Sequence, residues 1–292
     1  MPNVSAKPDL MKRLSILAQR SDFLRAVREF FYASGFIEVE TPVKIHAPAP
    51  EEYIESVRSE RDFLRTSPEL AMKVLLSQGC EKIFQIGSCF RANEHGRKHL
   101  EEFTMLEFYA VNWDYRRLAE FTAAMLNAAA GNNPVFSSHD FITVDEAFRR
   151  YAGVSAFEAD KDDTFDELMV TKVEPNLGLE GLTFLMDYPA SRASLSRLSP
   201  RNPKVAERWE LYRNGLELAN AFGELTDGVE QRKRFDAANK FRAANNMHAY
   251  PEPVEFYAAL DRGLPESSGC AIGVDRLLML LCNADDIRDV RA

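Results

Sequence analysis

Ile83-Phe84-Gln85-Ile86 and Phe103-Thr104-Met105-Leu106-Glu107-Phe108-Tyr109 flank the run Arg91-Ala92-Asn93-Glu94-His95-Gly96-Arg97-Lys98-His99-Leu100. The flanks are β-branched and aromatic, as strands of a buried sheet are. The run between them is dense in charge and reads as a loop. Together they predict a hairpin with a long, charged tip.

Upstream of this hairpin, residues 62–66 read as a short strand, and Ser67-Pro68-Glu69 supplies a serine N-cap, a first-turn proline and a first-turn carboxylate for a helix to about Leu76. Residues 44–55 are rich in proline and glutamate and predict a loop. Phe36-Ile37-Glu38-Val39-Glu40-Thr41-Pro42 is extended and closed by proline. Before it, Phe23, Leu24, Val27, Phe30 and Phe31 recur at helical spacing, with Ser21 or Asp22 as the cap and Gly35 as the stop.

Downstream, residues 114–130 predict a helix, ended by Gly131-Asn132-Asn133-Pro134. A modest, variable insertion is expected over 135–181, holding a helix over 144–151 and an acidic patch over 160–167. A strand over 183–188, a strand pair between Trp209 and Phe222, a helix over 228–245 and a last segment over 269–281 follow. Hairpins with flanking helices, rather than repeated strand-helix-strand units, predict an α+β fold with an antiparallel sheet, formed as one domain over 1–292.

Across the 292 residues, 36 Lys+Arg stand against 45 Asp+Glu, a net charge of −9 that argues against a non-specific grip on nucleic-acid backbone. With 46% hydrophobic and 28% charged residues the chain has a globular composition, which excludes a disordered one. No apolar run approaches the roughly 18 residues a membrane span needs, and Met1 to Asp9 lacks the order of a signal peptide, so a cytoplasmic location is expected. Cys80, Cys89, Cys270 and Cys282 form no CxxC, which speaks against both zinc and disulfides.

Three constellations could carry chemistry. Glu210 and Glu217, on either side of Asn214-Gly215, could meet across a hairpin, and paired carboxylates call for a cation such as Mg²⁺ shared with substrate phosphates. Arg91, Arg97 and His99 crowd the hairpin tip, and Arg276 follows Gly273; arginine forks suit phosphate, although Asp275 could equally be a helix cap. Glu69, Glu107 and Glu224 flank apolar segments, with Tyr109 on the face of Glu107. Gathered in one pocket they imply a cationic ligand such as an amine; singly, each reads as a surface or capping residue.

Read together, these segments resemble the signature motifs of class II aminoacyl-tRNA synthetases, and most closely the lysyl branch. Residues 35–42 look like motif 1, 90–109 like motif 2 and 269–276 like motif 3. Thr66-Ser67-Pro68-Glu69 and the run from Glu217-Leu218-Ala219-Asn220 to Glu224-Leu225-Thr226-Asp227 complete the lysyl pattern. Pro189-Ala190-Ser191-Arg192-Ala193-Ser194-Leu195, and Ala271 where the synthetases carry glycine, resemble the stand-alone paralogues that attach (R)-β-lysine to elongation factor P.

The resemblance implies ATP and Mg²⁺ as cofactors, lysine or β-lysine as substrate, an aminoacyl adenylate as intermediate and a lysine of elongation factor P as acceptor. By motif position, Arg91 and Arg276 would be catalytic. ATP would meet Arg91, Ala92, Asn93, Glu94, His99, Leu100, Phe103, Glu217, Leu218, Gly273 and Arg276, with Phe103 stacked on adenine. Ser67, Pro68, Glu69, Glu107, Tyr109, Asn220, Glu224 and Ala271 would bind the amino acid, and Glu210 and Glu217 the Mg²⁺. The Ala271 methyl would crowd an α-amine and favour a β-amine, an effect of about 1–3 kcal/mol. A homodimer near Pro42 is implied; with no room for an anticodon-binding OB-fold, tRNA is not the expected acceptor.

The sequence departs from the family pattern in motif 2. Arg91-Ala92-Asn93-Glu94 stands where the family has Arg-Asn-Glu, displacing the acid by one residue, and Leu100-Glu101 stands for Asn-Pro. Two other readings share these motifs: a lysyl-type activating enzyme with another acceptor, and a catalytically weakened paralogue that binds and regulates.

Overall fold

Runs of buried apolar residues, as over Glu102–Val111 and Leu182–Pro189, give this chain one broad eight-stranded sheet with helices on both faces. The computed structural model describes residues 10–131 and 133–291; the readings of Met1 to Asp9 and of Asn132 lie outside the described residues. The elements run α1 (Leu10–Ala33), β1 (Ile37–Glu38), β2 (Lys44–Ile45), β3 (Arg58–Ser59), β4 (Asp62–Leu64), α2 (Glu69–Ser77), β5 (Lys82–Phe90), β6 (Glu102–Val111) and α3 (Tyr115–Ala129). Then come β7 (His139–Thr143), α4 (Val144–Tyr151), α5 (Ala156–Lys161), α6 (Phe165–Leu168), β8 (Leu182–Pro189), β9 (Val205–Arg213), β10 (Leu216–Gly223), α7 (Gly228–Ala244), α8 (Val254–Gly263), β11 (Ser267–Gly273) and α9 (Val274–Leu281).

The main sheet has the order β1-β5-β6-β11-β10-β9-β8-β7, and a small sheet has the order β2-β4-β3. The core of the main sheet is antiparallel as expected, but its two outer pairs, β1 with β5 and β7 with β8, are parallel. The charged hairpin is the β5–β6 pair, aligned without a break from Lys82–Ala110 to Phe90–Glu102. The segment 135–181 is woven into the sheet: it supplies β7, and α4 to α6 with the helical turn after them bury Phe148, Phe165 and Met169 against Leu185, Tyr188 and Tyr212.

Three local expectations are corrected. α1 begins at Leu10, not at Ser21, because its buried stripe of Phe23, Val27 and Phe31 reaches back to Ile16, while Ser21 and Asp22 sit on its exposed side. Its stop is as expected: Gly35 takes φ +78°, and Phe36 N–H donates to Phe31 O across the end of the helix. α2 is capped one residue late: Pro68 holds the cap position without a side-chain bond, and Ser67 Oγ accepts from Glu69 N–H at 3.3 Å. Asp275 is no cap either; Gly273 is, and the Asp275 carboxylate in the first turn of α9 accepts from Thr104 N–H at 2.7 Å and from Arg20 at 2.6 Å.

The two faces of the main sheet are covered differently. On one, α1, α3 and α9 close a continuous core that includes Phe31, Phe84, Leu106, Phe108, Leu118, Trp209, Cys270 and Leu277. On the other, the core under α2, α7 and α8 and the core under α4 to α6 are separate clusters. Between them runs a polar trough over β6, β11, β10 and β9.

Candidate active site

Register sets what lines the trough. Gln85, Glu107, Ala271, Asn220 and Glu210 are successive cross-strand partners on β5, β6, β11, β10 and β9, so one row of side chains crosses five strands on one face. The next row is Ile83, Tyr109, Gly269, Phe222 and Arg208. A Cβ at Gly269 would lie 2.1 Å from Tyr109 Cε1 and 2.6 Å from Glu224 Oε1, so the missing side chain is what lets the tyrosine ring lie over β11. Glu217 faces Tyr212 and Asn220 faces Glu210; a register shift between Glu217 and Ala219 absorbs the odd residue and keeps both on the open face. The turn at Asn214-Gly215, with φ of 51° and 66°, makes Glu210 and Glu217 diagonal neighbours rather than a directly opposed pair.

A cavity of about 390 Å³ runs along the trough. Ser67 and Glu69 mark one end of its lining. There Glu69, Glu107 and Glu224 are buried around Lys73, which is fully enclosed. Lys73 Nζ lies 2.5 Å from Glu69 Oε1 and 2.6 Å from Glu224 Oε2, the second an ion pair outside hydrogen-bond angles, and Tyr109 OH donates to Glu107 Oε1 at 2.5 Å. One cation thus serves three carboxylates, and Glu107 Oε2 and Glu224 Oε1 have no hydrogen-bond partner among the described residues. Burial, reinforced by Glu69, pushes Glu107 up to about 8, and burial pushes Glu224 up to about 7 against the pull of Lys73. Burial alone would lower Lys73, but Glu224 and Glu69 outweigh it and hold the ammonium charged. Such a pocket is short of positive charge, which a ligand ammonium supplies.

The other end is built from arginines. Arg91 lies over the Phe103 ring at 5.1 Å and 3.8 Å from Glu94, and its buried Nε has no hydrogen-bond partner among the described residues. Arg276 donates to Glu217 O at 2.8 Å and meets His99 Nε2 at 2.6 Å. Since a guanidinium can only donate, His99 must present a lone pair there; burial and Arg276 both lower its pKa, in agreement. Glu210 takes three donors: Arg208 donates to Oε1 at 2.5 Å, and the hydroxyls of Tyr188 and Tyr212 both donate to Oε2 at 2.6 Å. Burial, and then Glu210, pushes Glu217 up to about 7. Fixed arginine forks beside an aromatic ring suit a phosphate-bearing, planar ligand.

The chain matches the family described as tRNA synthetases class II (D, K and N) over residues 9–292. It belongs to that family. Among its relatives, the elongation factor P--(R)-beta-lysine ligase of Klebsiella pneumoniae (strain 342) is 37% identical over 317 residues, covering 98% of this chain and 94% of that protein. The ligases of the same name from Salmonella paratyphi B and Salmonella heidelberg match at the same identity and coverage.

Within this class II frame, the trough cavity gathers most of the residues singled out from sequence: Ser67, Glu69, Arg91, Glu94, His99, Leu100, Phe103, Glu210, Glu217, Leu218, Asn220, Ala271, Gly273 and Arg276 all line it. Glu107, Tyr109 and Glu224 lie buried beside it, and Pro68 is buried under the start of α2. Ala92 and Asn93 do not line the cavity: Ala92 N–H donates to Glu55 O at 2.7 Å, and Asn93 is exposed with φ +66°. The displaced acid Glu94 lines the cavity in their place. Lys73, Arg208, Tyr188 and Tyr212 escaped the sequence reading. Lys73 had a visible signal, standing four residues after Glu69 on one helix face; Arg208 stands two before Glu210 on one strand face.

Proposed function

We propose that this class II enzyme uses ATP to activate lysine or (R)-β-lysine as its adenylate and then transfers the aminoacyl group to a lysine ε-amine of elongation factor P. The observation that carries the reading is the pairing, in one cavity, of a cation-poor acid pocket with an arginine end: one fits the substrate's ammonium, the other its nucleotide. Similarity to ligases named for that acceptor, at 37% identity over 98% of this chain, supports it. In the first step the amino-acid carboxylate attacks the α-phosphorus and pyrophosphate leaves, with Arg91 and Arg276 placed to offset the phosphate charge. Glu69, Glu107 and Glu224 would hold the distal ammonium, and Phe103 under Arg91 would stack on the base. In the second step the acceptor amine attacks the carbonyl carbon and AMP leaves. No nucleophile of the protein is required, so positioning and charge neutralisation carry the chemistry.

Among the described residues no group of three or more His, Cys, Asp or Glu side chains forms a metal cage. Glu210 and Glu217 nevertheless fit Mg²⁺, because the proximity of Glu210 raises Glu217 and a shared cation relieves that repulsion. Glu210 takes three donors and keeps acceptor capacity for a cation; bound there, Mg²⁺ would neutralise charge on the ATP phosphates. Ala271, beside Glu107 and Asn220 in its row, would set the preference between α- and β-amines. The same reading includes a homodimer and a cytoplasmic location; among the described residues no helix is long and apolar enough to cross a membrane.

The test is amino-acid-dependent ATP–pyrophosphate exchange with Mg²⁺, using α-lysine, each β-lysine enantiomer or no amino acid, followed by labelling of purified elongation factor P. Exchange with a lysine isomer and label on the acceptor are expected. Arg276→Ala is expected to lower exchange by about 100-fold or more. A folded protein that exchanges with none of these substrates would overturn the proposal.

A further inference from the structure

The trough cavity adjoins a second, outer one of about 830 Å³, and six residues line both: Glu51, Ile54, Leu195, Arg208, Glu210 and Glu217. Three of the six are carboxylates at the neck between the cavities. Glu210 takes donors from Arg208 and two tyrosines, and Glu217 Oε2 lies 3.6 Å from Arg276. The Glu51 carboxylate makes no hydrogen bond and no ion pair among the described residues. Gln231, fully buried in the wall of the outer cavity, has both amide atoms unpartnered among the described residues.

Glu51 is held from behind. Arg242 of α7, wholly buried, donates to Glu51 O at 2.8 Å, to Ile54 O at 2.7 Å and to Glu55 Oε2 at 2.6 Å, with its guanidinium 4.1 Å from the centre of the Tyr250 ring. Glu55 O in turn accepts from Ala92 N–H, beside Arg91. The loop is thus tied both to α7 and to the charged hairpin tip, which fixes the backbone on which the free carboxylate stands.

We infer that Glu51 takes the proton from the acceptor amine that reaches the adenylate through the outer cavity, an inference that rests on the function proposed above. A lysine side chain arrives as its ammonium. Its first proton passes to a Glu51 carboxylate oxygen, and the freed lone pair attacks the adenylate carbonyl. The C–N bond forms, the C–O bond to phosphate breaks and AMP leaves with that electron pair; the second N–H proton goes to water in the outer cavity. The groups facing Glu51 suit this work. Burial pushes it up to about 7, with Arg91 from the hairpin tip lowering it, Glu69 from α2 raising it, and Arg208 from β9 and Arg242 from α7 lowering it. Glu210, Glu217 and the loop neighbours Glu52 and Glu55 add acidic groups, and Asp166, Glu174, Arg192 and Arg234 line the same outer cavity. A base poised near the working pH transfers protons most effectively.

The test compares Glu51→Gln and Glu51→Asp with the parent protein in two assays: pyrophosphate exchange, and single-turnover transfer from preformed adenylate to purified elongation factor P. Glu51→Gln is expected to lower the ratio of transfer to exchange by about 100-fold, and Glu51→Asp to restore part of it. Parent transfer should rise with pH and level off above about 7, and Glu51→Gln should lose that inflection. Hydroxylamine, a nucleophile already neutral at such pH, should discharge the adenylate equally well in the parent and in Glu51→Gln. Equal losses of transfer and exchange, or a hydroxylamine rate that falls with the transfer rate, would overturn this assignment while leaving the proposed function standing. Absence of exchange in the parent protein overturns both.

Discussion

Glu69, Glu107 and Glu224 lie around Lys73, while Glu174, Glu210 and Glu217 lie around Arg208, Arg276, Tyr188 and Tyr212, along the same trough. The residue type is the same in both groups; the supply of donors is not. In the first, one ammonium is spread over three acids and two carboxylate oxygens stay unpartnered. In the second, guanidinium groups and phenol hydroxyls meet the acids from within the protein. A carboxylate cluster left short of donors has room for a whole ligand ammonium, whereas one met largely from within the protein keeps only the residual capacity of a small cation shared with phosphates. Donor count, rather than acid count, separates an ammonium site from a phosphate-side scaffold.

The largest expected effect that would break this contrast is on stability. Lys73→Met leaves buried acids unpaired and should cost about 3–5 kcal/mol in urea denaturation. Arg208→Met leaves Glu210 its two hydroxyl donors and should cost about 1–3 kcal/mol; equal losses would abolish the distinction. Next, Glu107→Gln should weaken binding of the amine substrate by about 10–100-fold by calorimetry, the worth of a hydrogen bond to a charged group. Glu210→Gln should act chiefly on the Mg²⁺ concentration needed for exchange. An amine affinity untouched by Glu107→Gln would sink the assignment of the acid pocket.

A smaller effect is expected with pH. Glu107 and Glu224 move from 4.5 to about 8 and about 7 on folding, so between about pH 5 and 8 the folded chain holds protons that the unfolded chain has lost. Unfolding then releases protons, and their contribution makes stability fall as pH rises through that window and level off above it. Glu107→Gln should flatten the slope, which denaturation midpoints across the window would reveal. An entering ammonium reverses the proton preference, so amine binding should tighten over the same range. Smallest of all, Tyr188→Phe removes one of three donors to Glu210 and should cost about 1 kcal/mol, or about fivefold in the Mg²⁺ requirement. A large loss there would mean that the second cluster has no spare donors.

Much of the fold could be read from the chain because its signals are local. The hairpin of β5 and β6 and the helix α4, found over Val144–Tyr151 as expected, rest on alternation, spacing and caps within a few residues. β7 and α8 escaped because a short edge strand and a ten-residue helix with a proline at its cap leave little periodic trace. The parallel pairing of the outer strands follows from tertiary placement and has no pattern of its own. In the site, the row from Glu107 to Glu210 was accessible through the resemblance to class II synthetase motifs, and Lys73 through its distance from Glu69. Glu51 and Arg242 were not, since their link joins residues 191 apart, and nothing near either one announces the other.

That long link bears on how the enzyme comes into being during synthesis. The loop that carries Glu51 leaves the ribosome early but lacks its Arg242 anchor until α7 follows, and Asp275 must still arrive to join Thr104 and Arg20 across separations of 171 and 255 residues. A nascent chain can therefore form the β5–β6 hairpin while lacking the completed trough. Its earliest-made parts wait on its last-made ones. A prematurely released polypeptide would lack the closed trough.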